Sequence, residues 1–84
     1  MNFKTTEYFE TRVAHRHPEI MTYRCYIEKA LTDAVHEEDD VKGRTRLYIY
    51  VPEEDKYLRV IVLADGETIH NAFFDSHFRR RMNK

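Results

Sequence analysis

The sequence YLRVIVLADGETIHNAFF at residues 57–74 decides the fold, because it joins two apolar segments through a two-residue turn signal. Asp65 and Gly66 are typical of a tight β-hairpin turn, since both residue types tolerate the left-handed backbone that such turns require. The segments on either side of this turn are therefore predicted to be antiparallel strands, with Val62 opposite Ile69. The hairpin determines which side chains share each face of the predicted sheet.

A third strand is predicted upstream, in GRTRLYIYV. A four-residue loop over 53–56 pairs Val51 with Leu58, and this register gathers the aliphatic side chains on one face, because alternate residues of a strand point to opposite sides. The predicted strands are residues 43–51, 57–63 and 68–74. Their apolar face consists of Leu47, Ile49, Val51, Leu58, Val60, Val62, Ile69 and Phe73.

Ahead of the strands, apolar residues recur at helical spacing. Pro18 and Glu19 predict a helix start, because proline suits the first helical turn and glutamate favours the positive end of the helix dipole. One helix is predicted over 18–35, where Ile20, Tyr23, Ile27, Ala30, Leu31 and Ala34 form a stripe. A shorter helix is predicted over 5–15, with a strand as the competing interpretation. The charged run at 36–43 is interpreted as a loop.

These elements predict an α+β two-layer fold, in which two N-terminal helices pack on one face of a three- to four-stranded antiparallel sheet. A fourth strand would come from residues near 40 or from the tail, and the sequence leaves both open. A chain of 84 residues has room for one core, so residues 1–84 are expected to form a single domain.

Composition limits the function classes. The formal net charge is −1, but acidic side chains concentrate in EEDD at 37–40 and EED at 53–55, which leaves the strands and the arginines at 79–81 locally basic. The longest apolar run is too short to cross a membrane, and the first ten residues lack a signal-peptide pattern, so a cytoplasmic protein without membrane association is expected.

No cofactor or metal is expected. The candidate ligands His15 and His17, Asp75 and His77, and Cys25 match no standard zinc spacing. A lone cysteine within a predicted helix is also a poor candidate for a nucleophile, since no base is placed beside it by the sequence.

The second sheet face carries the candidate functional residues. In the predicted register this face is open and holds Arg44, Arg46, Tyr48, Tyr50, Tyr57, Arg59, Ile61, His70, Ala72 and Phe74. Guanidinium groups bind phosphate bidentately and aromatic rings stack on unpaired bases, so the set suits RNA. Metal-free RNA cleavage needs an acid, a base and fixed positive charge, which His70, Arg46 and Arg59 would supply. The alternative is that acidic neighbours pair with these arginines and simply stabilise the sheet.

A second cluster lies at the helix junction, where His15 and His17 flank Arg16. The functional interpretation is phosphate binding or acid and base catalysis by His17 and Arg16. The alternative is that His17 caps the helix and His15 is merely exposed.

Four segments resemble those of a known family: RHPEI at 16–20, GRTRLYIY at 43–50, YLRVIVL at 57–63 and TIHNAFFD at 68–75. Together they resemble small domains of the Barnase-EndoU-Colicin-RelE nuclease superfamily, in particular its phage-associated and BrnT-like members. The resemblance implies a helix-plus-antiparallel-sheet fold, metal-independent endoribonuclease activity and a toxin neutralised by a cognate antitoxin. It points to the His17 region, Arg44, Arg46 and Arg59, whereas His70 rests on the register alone.

The sequence therefore predicts a small RNA-binding, endoribonuclease-like domain of toxin type. Its catalytic residues would be His70, Arg46, Arg59 and His17, and its substrate-binding residues Arg44, Tyr48, Tyr50 and Arg16. The alternative is a non-catalytic module on the same fold, which binds RNA, a protein such as an antitoxin, or a second copy of itself.

Overall fold

A computed structural model describes residues 3–78 as an α+β domain, which confirms the predicted fold class. Within these described residues the sheet has five strands, which lie in the order β1-β5-β4-β3-β2 when they are numbered along the chain. Their bounds are β1 Lys4–Thr5, β2 His36–Asp39, β3 Thr45–Val51, β4 Lys56–Val62 and β5 Thr68–Phe74. The prediction of a wholly antiparallel sheet of three to four strands is wrong, because β1 adds a parallel edge strand to β5.

The helical part of the chain is more broken than predicted. A π-helical segment at Phe9–Val13 continues into α1 at Ala14–Arg16, and the helices α2 (Pro18–Thr22) and α3 (Arg24–Asp33) follow. The predicted start at Pro18 is confirmed, but the single helix over 18–35 is wrong. Tyr23 adopts φ −106° and ψ 27°, outside the helical region, and so separates α2 from α3.

Residues 36–39 of the charged run at 36–43 form the strand β2 rather than the predicted loop. In β2, Glu38 lies opposite Arg46 of β3, so an acidic side chain meets a basic one across the pair. Opposite charges in such cross-strand positions stabilise a sheet despite low strand propensity. The fourth antiparallel strand thus comes from residues near 40. The other source considered for it, the tail after residue 78, lies outside the described residues.

The first hairpin differs from its predicted register by two residues. Ile49 pairs with Leu58 rather than with Val60, because the loop runs from Pro52 to Asp55. Asp55 has φ 53°, which gives the left-handed step that closes the turn. A shift of two residues leaves every side chain on its original face, so the partition of β3 and β4 survives.

The second hairpin begins as predicted and then changes register. Val62 pairs with Ile69, but a β-bulge between Ile61 and Val62 places Ala72 opposite Val60. A bulge adds one residue to one strand, so the side chains beyond it exchange faces. The predicted faces are therefore wrong for three residues: Ala72 and Phe74 lie toward the helices, and Phe73 lies on the opposite face.

The core lies between the helices and the sheet. Phe9, Val13 and Ile20 are buried against the aliphatic side chains of β3, β4 and β5. The side chains on the opposite face of the sheet form the first candidate surface.

Candidate nucleic-acid interface

One row of side chains crosses the sheet on the face away from the helices. Tyr48 of β3 lies opposite Arg59 of β4, which lies opposite Phe73 of β5. The guanidinium carbon of Arg59 is 5.9 Å from the Tyr48 ring centre and 4.7 Å from that of Phe73. The structure thus brings together two of the predicted site residues, Tyr48 and Arg59, and adds Phe73, which the unbulged register had assigned to the core. We call the side chains of Arg46, Tyr48, Tyr50, Tyr57 and Arg59 the polar sheet face.

The centre of the polar sheet face is covered. The ring of Phe78 stacks on Tyr48 at a centroid separation of 3.9 Å and an interplanar angle of 10°. Tyr48 is 0% exposed and Phe78 is 1% exposed. The prediction of an open surface is therefore wrong at Tyr48, because residues 75–78, called here the C-terminal turn, fold back over it.

Asp75 holds the C-terminal turn in place. Its Oδ2 accepts a hydrogen bond from Nη2 of Arg59 at 2.9 Å, and its Oδ1 accepts the backbone N–H groups of His77 and Phe78. The Asp75 residue is 8% exposed, so the ion pair is largely shielded from water. The charge of Arg59 is compensated within the domain.

Arg46 is likewise paired with acids. Its Nη1 lies 3.4 Å from a Glu38 oxygen, and its Nη2 lies 3.2 Å from Oδ1 of Asp40. The hydrogen bond to Asp40 raises the pKa of Arg46. The pKa of Asp40 is lowered, mainly by the hydrogen bond from the backbone N–H of Val41 and in addition by Arg46. For Arg46, this arrangement matches the alternative interpretation of the sequence, in which acidic neighbours pair with the arginines and stabilise the sheet.

The other predicted substrate residues on the sheet lie at its periphery. The Tyr50 hydroxyl donates a hydrogen bond to Asp55 in the hairpin loop. Arg44 is partly exposed at the start of β3, and within residues 3–78 it forms no ion pair with a carboxylate.

His70 contacts the N-terminal segment rather than the two arginines. Its ring stacks on Tyr8 at 4.8 Å between centroids, and its Nδ1 lies 3.2 Å from the Thr6 hydroxyl oxygen. Burial, followed by the nearby charge of Arg44, lowers the pKa of His70 below its usual 6.5. The imidazole is thus favoured in its neutral form, which can accept a proton.

A second surface forms where the first helical segment meets β5. Here a cavity of about 100 Å³ is bounded by charged, polar and aromatic side chains. We call it the helix–strand pocket, and its lining is Tyr8, Arg12, Val13, Arg16, His17, Asn71 and Phe73. Its lining includes Arg16 and His17, two of the candidate residues from the sequence, and Tyr8 joins it to His70 through the ring stack.

Sequence reasoning missed Tyr8, Arg12 and the two β5 residues of this pocket. Tyr8, Arg12 and Arg16 recur every four residues, which places them along one side of a helix. That spacing is visible in the sequence and could have identified the basic helix face. Asn71 and Phe73 had no such signal, because only the bulge turns them toward the pocket.

The charge balance of the helix–strand pocket differs from that of the sheet. Within residues 3–78, Arg12 and Arg16 form no ion pair with a carboxylate. His17 has one acidic neighbour, with Nδ1 3.4 Å from a Glu19 oxygen. Both arginines are exposed, so their guanidinium groups are accessible to an anion.

The described residues contain no cluster of three or more His, Cys, Asp and Glu side chains suited to a metal ion. Cys25 is exposed on α3 and forms no disulfide. None of the helices between residues 3 and 78 has the length and apolarity needed to span a membrane.

Comparison with known proteins adds no relative. No protein-family model matches the chain, and neither does any curated protein or solved structure.

Proposed function

We propose that this chain is a small RNA-binding domain that holds a phosphate on Arg12 and Arg16 and a base on the neighbouring aromatic rings. The observation that supports this most is a pair of exposed arginines, without carboxylate partners among residues 3–78, beside Tyr8 and Phe73 in one pocket. Guanidinium groups recognise phosphate through paired N–H donors, and aromatic side chains stack on bases of single-stranded RNA.

The size of the helix–strand pocket favours a part of a nucleotide rather than a whole one. Its volume is about 100 Å³. Small-molecule sites usually have volumes of roughly 300–1,000 Å³, so the pocket is small for a whole nucleotide and suits a phosphate group. A base would then lie at the rim, where Tyr8 is 45% exposed. This arrangement favours single strands, whose bases are unstacked and accessible.

RNA cleavage without a metal is a second candidate function. It is favoured by two histidines, one in the lining of the helix–strand pocket and one in contact with that lining. His17 lines the pocket, and His70 stacks on Tyr8, another lining residue. Cleavage requires a neutral base to take the 2′-hydroxyl proton and an acid for the leaving oxygen. The lowered pKa of His70 favours the neutral form, and the two arginines would stabilise the transition-state charge. A toxin paired with an antitoxin would use this chemistry.

Binding is tested with a fluorescently labelled single-stranded RNA and three proteins: wild type, the double variant Arg12→Ala/Arg16→Ala, and Lys29→Ala as a control. Lys29 is an exposed cation on α3, away from the pocket lining. We expect the double variant to lose on the order of ten-fold or more in affinity, since each phosphate contact contributes to binding. Equal affinities for the double variant and the control, or no binding by the wild type, would overturn the proposal.

Cleavage is tested by incubating RNA with the wild type, His17→Ala and His70→Ala in the presence of a chelator. Degradation that both substitutions reduce supports the second candidate. Intact RNA after incubation with the wild type would reject the cleavage candidate but would not contradict the binding proposal. Light scattering on the same samples determines whether a second copy of the chain is a partner.

A further inference from the structure

The C-terminal turn makes two contacts with the sheet that resemble those of a nucleotide. The Phe78 ring lies parallel to Tyr48 at 3.9 Å, which is the arrangement of a stacked base. The Asp75 carboxylate meets Arg59 at 2.9 Å, where a phosphate oxygen would also bind. An aromatic ring and an anion from the chain's own C-terminal side thus occupy neighbouring positions on the polar sheet face.

We propose that Tyr48 and Arg59 form a second RNA site, which takes a base on the Tyr48 ring and a phosphate on Arg59 when the C-terminal turn moves away. The proposal rests on the proposed function for its ligand class, although it concerns a different surface. In the structure described here the turn occupies the site, so it acts as an internal competitor of RNA.

Unsatisfied donors on this face support a ligand there. The Nε atoms of Arg46 and Arg59 are buried and have no hydrogen-bond partner among the described residues. Asp75 engages only Nη2 of Arg59, whereas a phosphate can accept from Nε and Nη2 together. Because buried polar groups are normally paired, these two donors indicate an incomplete set of partners for the arginines.

The second site is continuous with the helix–strand pocket. Phe73 lines that pocket and also lies 4.7 Å from the Arg59 guanidinium carbon. The row of Phe73, Arg59 and Tyr48 runs directly across three neighbouring strands. When the C-terminal turn has moved away, an RNA strand held by Arg12 and Arg16 can therefore continue along this row.

One side chain anchors the described part of the turn, which makes such an exchange feasible. Asp75 binds Arg59 and accepts the backbone N–H groups of His77 and Phe78. Beside it, a cavity of about 190 Å³ is lined by Tyr57, Asp75 and Lys56 among others.

The test uses Asp75→Asn in the full chain. Asparagine keeps a side-chain oxygen for the N–H groups of His77 and Phe78 but removes the charge that competes for Arg59. The probe is a single-stranded RNA that contains 2-aminopurine, whose fluorescence falls when it stacks. We expect Asp75→Asn to bind this probe on the order of ten-fold more tightly, with deeper quenching. Adding Tyr48→Leu should abolish the extra quenching.

Two further measurements complete the design. Phe78→Leu keeps an apolar side chain at this position but cannot stack on Tyr48, so we expect it also to bind the RNA probe more tightly than the wild type. This variant tests the proposal if Asp75→Asn fails to fold. NMR spectra of the wild-type chain should show displaced ring signals of Phe78 and Tyr48 when RNA is added. Unchanged ring signals, or a folded Asp75→Asn protein with wild-type affinity, would overturn the second site.

The outcomes also separate the two proposals. Binding that depends on Arg12 and Arg16 but does not change in Asp75→Asn rejects the second site alone. A gain in Asp75→Asn, together with equal affinities for Arg12→Ala/Arg16→Ala and the Lys29→Ala control, supports the second site and rejects the pocket. No binding by any of these proteins rejects both.

Discussion

The two arginine-bearing surfaces of this domain differ in how their charge is compensated. On the polar sheet face, Arg46 and Arg59 meet carboxylates at 3.4 Å or less. In the helix–strand pocket, Arg12 and Arg16 meet no carboxylate among residues 3–78. The same residue type is thus part of an internal ion pair on one surface and accessible to an external anion on the other.

This difference depends on where the acidic residues fold. Glu38 and Asp40 belong to the run that the sequence suggested to be a loop, yet the strand β2 and its end bring both to Arg46. Asp75 follows β5 and turns back to Arg59. A basic segment in a sequence therefore predicts a basic surface only when the partners of its arginines are known.

The largest expected effect compares two tyrosines, one from each surface. Tyr48 is 0% exposed between the sheet and Phe78, whereas Tyr8 is 45% exposed. We expect Tyr48→Ala to lower the free energy of unfolding by about 3–5 kcal/mol, because it leaves a cavity beneath Phe78. Tyr8→Ala should cost about 1 kcal/mol or less, as is usual for an exposed position. Urea unfolding followed by circular dichroism measures both, and similar losses would contradict the contrast between the surfaces.

A medium effect is expected for the arginines themselves. Arg46→Met removes the cationic partner of Glu38 and Asp40, and we expect it to lower the free energy of unfolding by about 1–2 kcal/mol. This value lies between those for exposed and buried ion pairs, because the Arg46 side chain is 32% exposed. Arg16→Met should change the free energy of unfolding by about 0.5 kcal/mol or less, because it breaks no ion pair. A loss at Arg16 equal to that at Arg46 would show that the pocket arginine also has a structural role.

The fold could be predicted from the sequence as far as its periodic signals reach. Asp65 and Gly66 gave the second hairpin, and alternation separated the two faces of β3 and β4 correctly even though the first hairpin pairs two residues away from expectation. The bulge opposite Ile61 and Val62, which inserts an extra residue of β5 after Ile69, could not be predicted. No residue type at this point of the sequence indicates a bulge. Its effect was to move Phe73 and Ala72 to unexpected faces.

The candidate site was predictable only in part, for a related reason. Arg16 and His17 were identified beside a helix start, and the structure places both in the helix–strand pocket. The predicted grouping of His70 with Arg46 and Arg59 assumed an unbroken strand and an uncovered sheet. The contacts of Phe78 and Asp75 link distant parts of the chain, so local patterns carry no signal for them.

A smaller effect concerns the salt dependence of RNA binding. Each phosphate contact releases counterions, so log K falls with log salt concentration with a slope of about −0.7 per contact on a single strand. We expect Arg12→Ala/Arg16→Ala to reduce the magnitude of this slope by roughly 0.7–1, because the phosphate that the two arginines hold together is released. Lys29→Ala should leave the slope unchanged, because Lys29 lies outside the pocket lining. Titrations of labelled RNA at several salt concentrations measure the slope, and an equal reduction in Lys29→Ala would contradict a phosphate site in the pocket.

The smallest expected effect is the pH dependence that His70 contributes. Burial lowers its pKa in the folded protein below 6.5, the ordinary value that the unfolded chain retains. Above pH 6.5 the imidazole is neutral in both the folded and the unfolded state, and its contribution to the free energy of unfolding is fully present. As the pH falls, the unfolded state binds the proton first. Stability is therefore lost progressively until the pH has passed through the lower pKa of the folded state. Urea midpoints measured between about pH 8 and about pH 5 should therefore fall on acidification, and less steeply in His70→Gln. Tyr8→Ala should also flatten the dependence, because removing the stacked ring exposes the imidazole to water and raises its pKa toward the ordinary value. An NMR titration of the His70 ring follows that shift directly, and an unchanged pKa in Tyr8→Ala would mean that other neighbours of His70 keep water away from it.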